Sequence, residues 1–131
     1  MPDACDVIVL GSGVSGLSAA LAAHEHGLRT ILLEKTDLLG GTTTNSYGLI
    51  WVGDNYLMRA EGESDDRDEL IAYMTFLGAG ELEEERMLAL VDHSPAALEF
   101  FARCGPKFRL VKGVSDHFYG VAPGARTGAT P

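Results

Sequence analysis

Cysteine is scarce in this sequence. There are two, Cys5 and Cys104, and no Cys-x-x-Cys pair. Two thiols are too few for the disulfide framework of a small secreted domain. They read as ordinary reduced thiols of a cytoplasmic protein. Basic residues are scarce too: 10 Lys and Arg stand against 19 Asp and Glu, a net charge of -9. That balance argues against nucleic acid, which is bound through basic footprints. Long apolar runs are missing. No stretch approaches the roughly 20 residues of a membrane span. Met1 to Asp6 has no basic residue and Val7-Ile8-Val9-Leu10 is far too short an apolar core for a signal peptide. Histidines with metal-ligand spacing are also lacking. His24 and His26 read as an exposed helix side or end and His93 as a helix end, so no metal site is expected.

What is present begins with a strand. Asp6 to Leu10 is β-branched and apolar and stops at Gly11. Leu17 to His24 is rich in Ala and Leu, strong helix formers. Gly27 stands where a helix C′ glycine belongs. Leu28 to Leu33 is a second apolar strand with Glu34 at its end. Strand, helix and strand in so short a span make a βαβ unit with parallel strands and a right-handed crossover. Residues 35 to 56 read as an extended loop. A helix is expected from Asp66 to Leu77, with Leu70, Ile71, Met74 and Leu77 as its apolar stripe and Gly78 and Gly80 at its end. A second is expected from near Glu83, burying Met87, Leu88 and Val91. Ser94-Pro95 reads as the start of a third, with Pro at the first helical position. It would carry Leu98, Phe101 and Ala102 and end at Gly105-Pro106. Phe108 to Lys112 is a strand candidate. From Gly113 to Pro131 the chain is loop-like, with nothing that reads as a closing strand or docking helix. The acidic runs from Glu61 to Glu69 and from Glu81 to Glu85 read as solvated helix starts.

Chemistry enters at Gly11-Ser12-Gly13-Val14-Ser15-Gly16. Gly-x-Gly-x-x-Gly alone is a weak signal, but here it follows a strand and opens a helix. Gly11 would allow the tight turn, Gly13 a close approach of pyrophosphate, and Gly16 close packing of helix on strand. The helix N-terminus would offer free N–H groups to phosphate. Glu34, about 20 residues on, stands where a carboxylate accepts hydrogen bonds from ribose hydroxyls. By spacing alone FAD and NAD are not separated. Lys35 follows, then Gly40-Gly41-Thr42-Thr43, small and hydroxyl-bearing residues that suit a loop wrapped around an extended cofactor.

These segments resemble a known family. Asp6 to Gly13, Leu33-Glu34-Lys35 and Gly40 to Thr43 are similar to the FAD-binding start of the fumarate reductase/succinate dehydrogenase flavoprotein superfamily. Ser46, Gly48, Ile50-Trp51 and Asn55 most resemble the 3-ketosteroid Δ1-dehydrogenases within it. The resemblance implies an α/β fold: a Rossmann-like FAD-binding βαβ unit with an incomplete parallel sheet over residues 1–56. Helices and the beginning of a substrate-binding region would follow over 57–131. It implies FAD held by Gly11, Ser12, Gly13, Val14, Ser15, Gly16, Glu34, Lys35, Gly40, Gly41, Thr42, Thr43, Ser46 and Gly48. Residues 40 to 48 contain no histidine, so the flavin is expected to be noncovalent.

Two positions depart from the steroid pattern. Tyr47 stands where a small glycine is usual. Ser115-Asp116-His117-Phe118-Tyr119 replaces an Asp-Tyr-Tyr-like segment that supplies a catalytic tyrosine. Tyr119, one residue late, is one candidate for handling a proton, and His117 is another. An aromatic lining of a hydrophobic pocket is the plainer reading of Tyr119. The resemblance implies a flavin-dependent dehydrogenase or reductase acting on a carbon–carbon bond beside a carbonyl of a hydrophobic small molecule. Complete family members run to several hundred residues. One subunit of a split flavoenzyme, completed by a second polypeptide, is therefore expected, with a truncated product as the other reading. A non-catalytic dinucleotide-binding assembly subunit is the alternative function.

Overall fold

The computed structural model describes residues 4–126. The first three residues and the last five, with the chain's end at Pro131, lie outside it. The chain divides into two compact units, one up to Ile50 and one from Trp51.

The first unit is the expected βαβ. Strand β1 (Val7–Leu10) and strand β2 (Thr30–Leu33) pair in parallel, Val7 beside Thr30 and Leu10 beside Leu33. The ladder runs past both strand ends. Asp6 donates its amide to the Arg29 carbonyl at 2.8 Å, and Gly11 donates to Leu33 at 2.7 Å. The Arg29 guanidinium closes on both Asp6 carboxylate oxygens at 2.9 and 3.0 Å, joining the two strands where both begin.

Helix α1 (Val14–Glu25) crosses between the strands and packs on both. It ends in the motif Gly27 suggests. The Gly27 amide reaches the His24 carbonyl, the Leu28 amide reaches Ala23, and Gly27 has φ +73°. That left-handed turn satisfies two orphan carbonyls at a position where other residues are strained. Side chains alternate across a strand, so one sheet face meets the helix through buried Val9. The other face carries Ile8 and Leu10, which are 60% and 79% exposed, with Leu33 beside Leu10.

The second unit is helical: α2 (Tyr56–Ala60), α3 (Arg67–Gly78) and α4 (Glu84–Arg103), with α3 packed on α4. The loop expected over 35–56 is more structured than read. It holds a 3₁₀ turn over Gly41–Asn45 and ends in α2. Asn55 starts α2 by accepting from the Leu57 and Met58 amides at 3.0 and 3.2 Å. Its own amide donates to the Val52 carbonyl at 2.7 Å, so the buried side chain is satisfied at both ends. Asp66 caps α3 in the same way.

Three expectations need correction. The second and third helices are one, because α4 runs unbroken through Pro95. Met87, Val91 and Leu98 fall on a single buried face along it, and that burial outweighs the hydrogen bond proline cannot donate. His93 therefore lies inside a helix, not at an end. Second, Phe108 to Lys112 forms no strand; among the described residues no strand pairs with this short apolar run, so its backbone groups gain no ladder partner. Third, the buried positions of α3 are Leu70 and Tyr73, while Leu77 is exposed and Ile71 and Met74 are half-buried. Tyr73 was missed because a phenol interrupts an aliphatic stripe, although its ring is apolar.

Residues 114–126 are irregular as expected, yet they are docked. Ala122 is buried, and the Arg126 guanidinium reaches Glu69 at 2.7 Å, Asp65 at 3.1 Å and the Ser64 carbonyl at 3.0 Å.

Candidate functional site

The glycine turn joins β1 to α1. Gly11 takes φ +89°, which reverses the chain directly after the strand. Gly16 faces back at that turn. A Cβ on Gly16 would stand 2.0 Å from the Gly11 carbonyl oxygen, so only hydrogen fits where helix meets strand. Val14 and Ser15 lie in the first helical turn, whose amides have no partner within the helix. The Val14 amide is taken by the Thr43 hydroxyl at 3.0 Å.

Ser12 is fully buried. Its hydroxyl donates to Glu34 Oε2 at 2.6 Å, and its amide donates to the same oxygen at 2.9 Å. The hydroxyl also accepts from the Gly40 amide at 2.8 Å. Glu34 Oε1 accepts from the Thr36 amide at 3.1 Å. The Thr36 hydroxyl lies 3.2 Å from Oε1 but 2.8 Å from the Leu38 carbonyl, and its one proton goes to the nearer acceptor. Oε1 therefore keeps an acceptor position for an incoming hydroxyl. The Ser12 hydroxyl, then the Ser12 and Thr36 amides, hold the Glu34 carboxyl down at about 2 against its partial burial. The acid is ionised throughout the physiological range.

Gly11 to Gly16, Glu34, Gly40, Gly41 and Thr43 are thus gathered, with Gly41 standing against the Gly13 backbone. Lys35, Thr42, Ser46 and Gly48 are exposed on the following loop, where Gly48 donates to the Ser46 hydroxyl at 3.2 Å. Tyr47 is exposed as well. The set fits a dinucleotide. It combines a helix packed tightly on its strand, first-turn amides for phosphate, and an ionised carboxylate with a spare acceptor position for ribose. Thr36 belongs to the group although sequence reading passed over it. A hydroxyl residue two places after an acid is a recognisable local turn signal.

The residues proposed for proton handling lie in the second unit, on a turn organised by Asp116. Its Oδ2 accepts from the Tyr73 hydroxyl at 2.8 Å and its Oδ1 from the Phe118 amide at 2.8 Å. Its carbonyl accepts from the Tyr119 amide at 3.1 Å. Tyr73 also stacks on Trp51, ring centroids 5.6 Å apart. Burial first, and the bond to Asp116 second, push the Tyr73 phenol up to about 12. His117 packs edge-on against Phe118, and Tyr119 is 54% exposed.

The family profile described as an FAD binding domain matches residues 6–129. The chain belongs to that family. It is an FAD-binding domain of the fumarate reductase/succinate dehydrogenase flavoprotein superfamily, and its cofactor is FAD. Over 125 residues it is 36% identical to a 3-oxosteroid 1-dehydrogenase of Comamonas testosteroni, covering 93% of this chain and 22% of that one. It is 38% identical over 126 residues to a 4-oxocyclohex-2-ene-1-carboxylate 5-dehydrogenase of Sinomonas cyclohexanicum, covering 95% and 21%. Among solved structures, the 3-ketosteroid Δ1-dehydrogenase of Sterolibacterium denitrificans in complex with 1,4-androstadiene-3,17-dione superposes with a TM-score of 0.80 at 32% identity, covering 95% of this chain and 22% of that one. This FAD-binding domain thus spans about a fifth of the length of these relatives.

Proposed function

We propose that the chain holds FAD without a covalent bond, as the flavin-binding part of a dehydrogenase or reductase acting on a carbon–carbon bond beside a carbonyl. The observation that carries this reading is the Glu34 carboxylate, kept ionised at the end of β2 and tied through Ser12 to the glycine turn and the 40–43 loop. When bound, flavin supplies the group that takes or gives a hydride. The chain's own residues bind and orient it. Glu34 Oε1 receives a ribose hydroxyl, and the Ser15 and Gly16 amides in the first turn of α1 receive phosphate. Lys35, Thr42, Ser46 and Gly48 line the loop that follows. Tyr119 handles the substrate proton, with His117 the other polar group on the same turn. The substrate is a hydrophobic small molecule, in keeping with the 3-oxosteroid 1-dehydrogenases to which the chain is similar.

A second polypeptide completes the flavoprotein. The uncovered apolar sheet face of Ile8, Leu10 and Leu33 supports this, since such a face gains free energy when buried. The reading places the protein in the cytoplasm, where Cys5 and Cys104, both free, stay reduced.

Absorbance and ligand extraction of the co-purified protein test the proposal. Yellow protein that releases intact FAD on denaturation supports it. Flavin that stays attached to denatured chain overturns the noncovalent reading. Nucleotide without flavin absorbance assigns a non-catalytic assembly role instead.

A further inference from the structure

We infer that Ser12 is a positioning residue for the cofactor: its buried hydroxyl locks the Glu34 carboxylate and the Gly40 amide to the glycine turn, so that three separate segments form one preassembled receptor for the adenosine end of the flavin. The inference rests on the flavin reading above and goes beyond it, because the Ser12 side chain acts through other groups and not on the ligand.

The geometry leaves the hydroxyl no other task. It is fully buried, and its single proton is spent on Glu34 Oε2 at 2.6 Å. Its lone pair receives the Gly40 amide at 2.8 Å. The motif's glycines supply the turn, the close approach to pyrophosphate and the helix packing; here the Ser12 side chain between them joins the end of β1, the end of β2 and the 40–43 loop. Holding a carboxylate and a loop in the bound arrangement before binding removes an ordering cost that binding would otherwise meet. It also keeps the acceptor charged. The hydrogen bonds that lower Glu34 come only from Ser12 and Thr36, and no charged side chain contributes. Lys35 and Asp37 flank this acid in sequence, and α1 brings no acidic residue in its first turn. A depressed carboxylate stays ionised as pH falls until its own lowered value is reached. Loss of the hydroxyl raises that value toward the ordinary carboxylate range.

The test compares the wild-type protein against Ser12→Ala, Ser12→Gly and Ser12→Thr. FAD affinity is read by fluorescence quenching from pH 7 to pH 4. The expected result is a flat wild-type profile. Ser12→Ala and Ser12→Gly lose about tenfold in affinity at pH 7, the size of one charge-assisted hydrogen bond, and fall further between pH 5 and pH 4. Ser12→Thr, which restores a hydroxyl, recovers the flat profile. Equal losses in all three variants with no pH slope overturn the inference and make Ser12 a packing residue. A flavin-free arm follows the Glu34 carboxyl by carbon NMR in wild type and Ser12→Gly. An upward move of its titration supports the inference, and an unmoved titration overturns it. A wild type that binds no flavin sinks the cofactor reading alone, because the carboxyl titration still judges Ser12.

Discussion

One hydrogen atom decides whether α1 can lie on its strand. A methyl at Gly16 would meet the Gly11 carbonyl at 2.0 Å, and that oxygen is backbone, so it cannot swing away. Gly16→Ala is expected to destabilise the first unit by about 1 to 3 kcal/mol, as overpacking does, and to abolish flavin retention. Urea unfolding and flavin absorbance check it; an alanine variant that unfolds at the wild-type midpoint contradicts the packing argument. Tyr73 shows the same economy of atoms in the second unit. Tyr73→Phe keeps the ring against Trp51 but takes the donor from Asp116. A loss of about 1 to 2 kcal/mol is expected, followed through Trp51, the sole tryptophan. The pH dependence has a definite sign. The phenol's value is raised in the fold, from 10.0 to about 12, so its contribution is whole below pH 10 and drains away as pH climbs to 12. In Tyr73→Phe that alkaline component vanishes, and wild type without it would contradict the burial of Tyr73.

At the scale of elements, local signals were read well where they were chemical and less well where packing overrode them. Gly27 and Asp66 mark ends whose backbone groups need a particular partner, and the partners are where their chemistry requires; Asn55, which caps α2, was read as loop. Pro95 was read as a start because proline suits the first helical turn. The structure instead holds it inside α4, where it has no amide to donate and proline is generally unfavourable. Pro95→Ala is therefore expected to stabilise α4 by about 1 to 3 kcal/mol. Chemical denaturation with helix content by circular dichroism checks this; a destabilised variant would mean that the helix is bent at Pro95 for a packing reason.

For the molecule as a whole, the unequal faces of the two-stranded sheet matter most. Val9 is covered by α1, whereas Ile8, Leu10 and Leu33 are open. Leu10→Lys should leave helix content and the unfolding midpoint within about 0.5 kcal/mol of wild type, as for a surface site. It should lower binding of an apolar dye and weaken retention of the proposed second polypeptide in pull-down. Retention at the wild-type level would remove this face from the assembly interface. The two paired strands are the two apolar runs that flank the helix-forming stretch, whereas the strand expected over Phe108 to Lys112 does not form.

The amino-acid order alone determined the βαβ unit, its glycine turn, the acid at the end of β2, the close of α1 at Gly27 and the start of α3 at Asp66. Each depends on hydrophobic periodicity or on a backbone conformation that few residue types adopt. Only the tertiary structure decided that Ser12 ties Glu34 to Gly40, that Tyr73 meets Asp116, and that one long helix runs through Pro95. Those outcomes join residues distant in sequence or set burial against local preference, and neither is encoded in the spacing of a single segment.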